Sequence, residues 1–73
     1  MSSNNDKLES IEACYTKTQL MLRDLYLEWA NDYLGYSLIA EHKGISESTM
    51  IAMVEEGRAI HNDIVALYKR STA

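Results

Sequence analysis

Residues 37–54, Ser-Leu-Ile-Ala-Glu-His-Lys-Gly-Ile-Ser-Glu-Ser-Thr-Met-Ile-Ala-Met-Val, constrain the fold more than any other stretch. A helical pattern runs into Gly44, and a new one starts two residues later. Glycine adopts positive φ without steric cost, so Gly44 reads as the end of the first helix. Ser46 reads as the N-cap of the second, with Glu47 placed where the helix dipole favours an acid. The remaining positions have matching roles. Ala40 is small where two helices would touch, and Ile45 would plug the core beneath the turn. Met50 and Met53 would face the core from the second helix, and Leu38 or Ile39 from the first. Lys43 departs from this pattern, since an apolar side chain is commoner there.

Upstream, an apolar seam links Leu8, Ile11, Tyr15, Leu22, Leu25 and Trp29, with Thr18 in the open slot of a heptad rhythm. Two arrangements fit it. One is a single helix from about 6 to 34. The other breaks near 16–18, with Thr18 capping a second helix. Two threonines lower helix propensity where the seam is weakest, which favours the break. Residues 19–34 carry the broadest stripe: Leu20, Leu22, Leu25, Tyr26, Trp29, Tyr33 and Leu34. Leu27 falls towards the charged side and is the apolar residue expected to be exposed. Gly35 is the expected left-handed stop, and Ser37 the expected cap of a short helix over 37–43.

Downstream of Ser46 one seam runs through Met50, Met53, Val54, Gly57, Ile60, Ile64, Leu67 and Tyr68. Gly57 either ends a helix or lies inside a continuous one, where the missing side chain admits a crossing helix. No capping residue follows before Asn62, which favours continuity. Lys69 and Arg70 suit the negative end of that helix.

Proline is absent from the 73 residues, and no strand pattern, repeat or linker is visible. The expectation is one all-α domain spanning 1–73, built as long helix, short helix, long helix, with tails at about 1–5 and 71–73 frayed. The expected core is Leu22, Leu25, Trp29, Tyr33, Ile39, Ala40, Ile45, Met50, Met53, Val54, Ile60 and Ile64. Hydrophobic residues make up 47% of the chain, enough to fold. No apolar run approaches the ~20 residues that span a bilayer. The first twelve residues are predominantly polar, and the single cysteine, Cys14, has no internal partner. A cytoplasmic protein with a reduced thiol is the matching expectation.

Residues 37–54 resemble the helix-turn-helix of small prokaryotic regulators and phage repressors. That resemblance implies a recognition helix from 46 onward, exposing Ser46, Glu47, Ser48, Thr49 and Ala52. The longer stretch 22–61 is similar to short phage- and plasmid-borne proteins, which implies a mobile-element origin but supplies no biochemical activity. Its matching segments are Leu-Tyr-Leu-Glu-Trp-Ala-Asn-Asp-Tyr-Leu, Ala-Glu-His-Lys-Gly-Ile-Ser and Glu-Gly-Arg-Ala-Ile-His.

Charge decides between the uses of such a frame. Eleven acids against seven bases give a net charge of −4. Duplex DNA binding draws its affinity mainly from neutralised phosphates. The cations near the turn are Lys43 and Arg58, against Glu41, Glu47, Glu55 and Glu56. The expectation is therefore a protein-interaction module, such as an inhibitor or adaptor of a host protein. A dimeric DNA-binding regulator is the alternative. The candidate contact residues are Lys43, Ser46, Glu47, Ser48, Thr49, Ala52, Glu55 and Glu56.

Catalysis, cofactors and metals are not expected. His42 and His61 are the only histidines, and their spacing does not pair ligands on one helical face. Trp29 and Tyr33 are assigned to the core, whereas Tyr15, Tyr26 and Tyr36 suit a wet boundary. Leu8, Ile11 and Tyr15 either fold back near Ile64 and Tyr68 or pair with a second copy in a homodimer.

Overall fold

The computed structural model describes residues 4–72, with side chains over 6–71. Four helices follow one another: α1 (Asn4–Glu12), α2 (Lys17–Asp32), α3 (Tyr36–Lys43) and α4 (Glu47–Thr72). No strand occurs among the described residues. The helix ends reach into both stretches expected to fray, while Met1–Ser3 and Ala73 lie outside the described residues.

The N-terminal seam breaks, as the threonines suggest, but one cap earlier than expected. Thr16, not Thr18, is the N-cap of α2: its hydroxyl accepts from the Gln19 N–H at 3.1 Å, and Gln19 Oε1 accepts from the Thr16 N–H at 2.8 Å. This reciprocal capping box satisfies two donors that a helix start otherwise leaves open. At the other end α2 stops at Asp32, and Tyr33 is extended (φ −128, ψ 141). Gly35 is extended too (φ −159, ψ −175), so it is not the left-handed stop expected of it. It is the N-cap of α3, which starts at Tyr36 with no side-chain cap, so Ser37 does not fill that role. An extended link carries Leu34 away from the apolar stripe and leaves it fully exposed.

Gly44 is left-handed (φ 72) and closes α3 by donating to the carbonyls of Ala40 and Glu41. Ser46 Oγ accepts from the Thr49 N–H at 3.3 Å at the start of α4. α4 then runs 26 residues without a break, about 39 Å at 1.5 Å per residue. Gly57 lies inside it against α2: an added Cβ would collide with the Leu22 carbonyl oxygen and come within 2.9 Å of the Tyr26 Cβ. The missing side chain is what brings the two long helices this close.

Two buried clusters flank that crossing. Towards the start of α4, Ile39, Ala40, Met50 and Val54 are buried, with Leu25, Tyr26, Trp29, Tyr33, Tyr36 and Ile45 packed around them. Towards its end, Ile11, Ile60 and Ile64 are buried, with Leu8, Tyr15, Leu20, Leu22 and Tyr68 around them. α1 therefore folds back onto α4 within one chain. Fully burying a side chain such as Ile39, Met50 or Val54 stabilises the fold by about 1.5–3 kcal/mol each. The expected core is corrected at its edge. Leu22, Leu25, Trp29, Tyr33, Ile45 and Met53 are half-buried, Ile11 is fully part of the core, and Leu27 is half-buried rather than exposed. Four helices on so short a chain cannot enclose every apolar side chain.

A candidate interaction surface at the α3–α4 end

Each of Lys43, Ser46, Glu47, Ser48, Thr49, Ala52, Glu55 and Glu56 is exposed. They do not form one uniform face. On a 3.6-residue helix, Thr49, Ala52 and Glu56 lie on a different side of α4 from Glu47, Ile51 and Glu55. The second group borders α3, because the Tyr36 hydroxyl donates to Glu55 Oε1 at 2.8 Å. Lys43 instead reaches α2, where its Nζ is 3.1 Å from Glu28 Oε1. That pair edges an open groove of about 470 Å³, lined by Met21, Leu22, Leu25, Ile45, Met50 and Met53.

Both cations near the start of α4 are held internally. Lys43 is held by Glu28. Arg58 Nε is 3.2 Å from Glu55 Oε2, and its guanidinium lies 5.4 Å from the Tyr26 ring centre and 5.5 Å from that of Trp29. Such contacts suit a guanidinium, which is weakly hydrated and stacks on aromatic faces. Trp29 in turn stacks on Tyr36, with ring centres 5.0 Å apart and planes 12° from parallel. Trp29 Nε1 and Arg58 Nε are buried without a hydrogen bond; the latter is close to Glu55 but not aligned to donate. By contrast, Asp32, Glu41, Glu47 and Glu56 have no basic partner among the described residues.

The hydroxyls are also engaged. Ser46 Oγ donates to Thr49 Oγ1 at 2.8 Å and lies 3.4 Å from Ser48 Oγ. A polar start to α4 is thus closed on itself rather than fanned outward.

This end of the molecule also exposes apolar residues that sequence patterning missed. Leu34, Leu38 and Ile51 are exposed large apolar residues at this end of the molecule. Leu34 and Leu38 were hidden because spacing puts Leu34 in the apolar stripe of 19–34 and offers Leu38 a core position in the short helix. Only the extended link after Tyr33 and the orientation of α3 turn them outward.

The histidines remain apart. His42 Nδ1 is 2.9 Å from the Tyr33 hydroxyl, and the His61 ring packs against Tyr26 with centres 5.5 Å apart. No group of three or more His, Cys, Asp or Glu side chains among the described residues is placed to hold a metal ion. Cys14 is exposed, and its thiol contacts the Ser10 carbonyl oxygen at 3.7 Å. Among the described residues, no helix is long and apolar enough to cross a membrane.

Comparison with known proteins gives no matching family model, no matching curated protein and no matching solved structure.

Proposed function

We propose that this chain is a small, non-enzymatic protein-interaction module on a helix-turn-helix frame, which uses an acidic α3–α4 surface to bind a basic partner. The frame reading rests on the left-handed Gly44 and on Ile39 and Ala40 packing against Met50 and Val54. The resemblance to phage regulators suits an inhibitor or adaptor acting on a host protein in the cytoplasm.

One observation carries the choice of partner. Lys43 and Arg58, the cations nearest the start of α4, are spent on Glu28 and Glu55. Glu47 and Glu56 are left without a basic partner. A phosphate backbone would meet uncompensated carboxylates, whereas a lysine- or arginine-rich protein would meet complementary ones. The rival reading, a dimeric DNA-binding regulator, would have to break both ion pairs to recruit phosphate-binding cations.

Fluorescence anisotropy with random duplex DNA and with a lysine-rich polypeptide separates the two. The expected result is no DNA binding even at low salt, with salt-sensitive binding of the polypeptide. DNA retention that weakens steeply as salt rises, without polypeptide binding, reverses the choice.

A further inference from the structure

Of the five exposed large apolar residues among the described residues, three, Leu34, Leu38 and Ile51, lie at the α3 end, with exposures of 108%, 50% and 37%. Leu38 projects from the side of α3 opposite its buried Ile39–Ala40 side, and Glu41 follows it by one turn. Glu47 and Ile51 are four residues apart on α4 and share a stripe with Glu55. The Tyr36–Glu55 hydrogen bond sets that stripe beside α3. Asp32 lies just before Leu34, at the end of α2.

Charge is distributed unevenly along the molecule. Asp32, Glu41 and Glu47 carry no ion pair. Among the described residues, the bases for which no ion pair is seen, Lys7, Lys17 and Arg70, belong to α1, the start of α2 and the end of α4. α2 and α4 run antiparallel past the Gly57–Leu22 contact, so Lys7 and Arg70, which line one pocket between α1 and the end of α4, are at the opposite end of a molecule 44 Å long, and Lys17 lies on the far side of that contact. Separations of this size exceed the ~8 Å screening length at physiological salt, so those bases do not offset the α3 acids.

From this arrangement we infer that Leu34, Leu38 and Ile51, with Glu41 and Glu47, form a docking surface for a cationic amphipathic helix. Its apolar side chains cover the three anchors while flanking lysines or arginines meet the carboxylates. Charge selects this occupant. A second copy joined face to face would set Glu41 and Glu47 against themselves across a two-fold axis. Nucleic acid and anionic lipid are repelled by the same acids. A neutral apolar helix would cover the leucines but leave the carboxylates desolvated and unmatched. The inference rests on the interaction reading above and specifies its partner.

The test uses the full chain and a synthetic 15-residue helical peptide with leucines three and four apart, flanked by arginines. A twin peptide carries glutamates in place of the arginines. Two double variants are compared with wild type: L34S/L38S, which removes exposed side chains only, and E41K/E47K. Circular dichroism melts establish that both remain folded. The arginine peptide is expected to bind saturably, with amide NMR shifts confined to α3 and the first turns of α4. Each double variant should weaken it at least tenfold, and the glutamate twin should not bind. Equal affinity for both twins overturns the inference, as do shifts centred on the methionine groove. So does a wild-type dimer in sedimentation that L34S/L38S dissociates. Binding that survives L34S/L38S but is lost in E41K/E47K overturns this surface and leaves the interaction reading standing. DNA retention with no binding of either peptide removes both.

Discussion

The two clusters on either side of Gly57 share one helix, α4, and are built differently. The cluster near its start is framed by rings and polar contacts: Trp29 stacked on Tyr36, Arg58 beside Tyr26 and Trp29, and the Tyr36–Glu55 hydrogen bond. The cluster near its end is mainly aliphatic, with Ile11, Ile60 and Ile64 buried. There the principal polar tie is Arg23, which donates to Glu12 Oε2 at 2.7 Å and fastens α1 to α2. Burial works against the Arg23 charge, but its hydrogen bonds to Glu12 and Asp24 outweigh that and raise its pKa. The difference separates two jobs. Aliphatic packing is tolerant of small shifts and holds α1 down. Ring stacking and directed hydrogen bonds fix the orientation of α3, which a contact surface requires.

Gly57→Ala should have the largest effect, because it acts on the joint between the clusters. Alanine in an open helix position is favoured over glycine by about 1 kcal/mol. Here the added methyl meets the Leu22 carbonyl, a backbone atom that cannot swing aside. A loss of about 3 kcal/mol or more is expected, from a total of about 4–11 kcal/mol for a chain of this size. Urea denaturation measures it. A neutral or stabilising result would show that α2 and α4 are not in close contact there, and the division into two clusters would fall with it.

Ile39→Ala and Ile64→Ala come next. Both side chains are almost fully buried, and each truncation should cost about 2–5 kcal/mol. Their consequences differ in place. Hydrogen exchange should report loosening of α3 in the first variant and of α1 in the second. Identical exchange patterns would mean one cooperative core rather than two. Leu25 and Ile45, expected from sequence to be comparable core positions, are half-buried and should cost less.

Thr16→Ala is confined to the second cluster. Removing the capping hydroxyl should cost about 1 kcal/mol and raise exchange at the first turn of α2. It should leave α3 unchanged. Protection lost in α3 as well would show that the start of α2 sets the geometry of the far end.

How much of this was legible in the sequence depends on how local the cause is. Gly44, Ser46 and the continuity of α4 through Gly57 were readable, since each follows from a residue's own backbone preference or from uninterrupted spacing. The break after α1 was readable, but its cap was displaced by two residues, because Gln19 completes a box with Thr16 that spacing alone does not weigh. Gly35 was misread. A glycine after a helix suggests a left-handed turn, yet tertiary packing of Tyr33 and Tyr36 around the core draws the link straight. The eight candidate contact residues are all exposed. Their pairing was not readable, since Lys43–Glu28 joins residues fifteen apart on different helices. Leu34 and Leu38 escaped for the same reason: their exposure is a property of how α3 docks, not of their neighbours in sequence.

Alkaline pH gives the smallest effect and the most selective one. The Tyr36 hydroxyl is raised above its ordinary pKa of 10.0, first by its hydrogen bond to Glu55, then by burial and the Glu55 charge, with Arg58 opposing. Tyr15, beside the second cluster, is raised by burial and then by Asp63 and Cys14. In both cases the folded pKa lies above the unfolded one, so folding favours the protonated phenol. The stabilisation is fully present below the ordinary value and is lost as pH rises through the folded value. Melting temperature should therefore fall as pH passes above about 10. Tyr36→Phe removes the part of that slope that belongs to the first cluster, and Tyr15→Phe the part that belongs to the second. If Tyr36 fixes α3 through Glu55, ionising it in the wild type should also release the amides of α3 to exchange, and Tyr15→Phe should leave that release intact. A release of α3 that persists in Tyr36→Phe would locate the pH-sensitive lock elsewhere and weaken the case that directed hydrogen bonds set this surface.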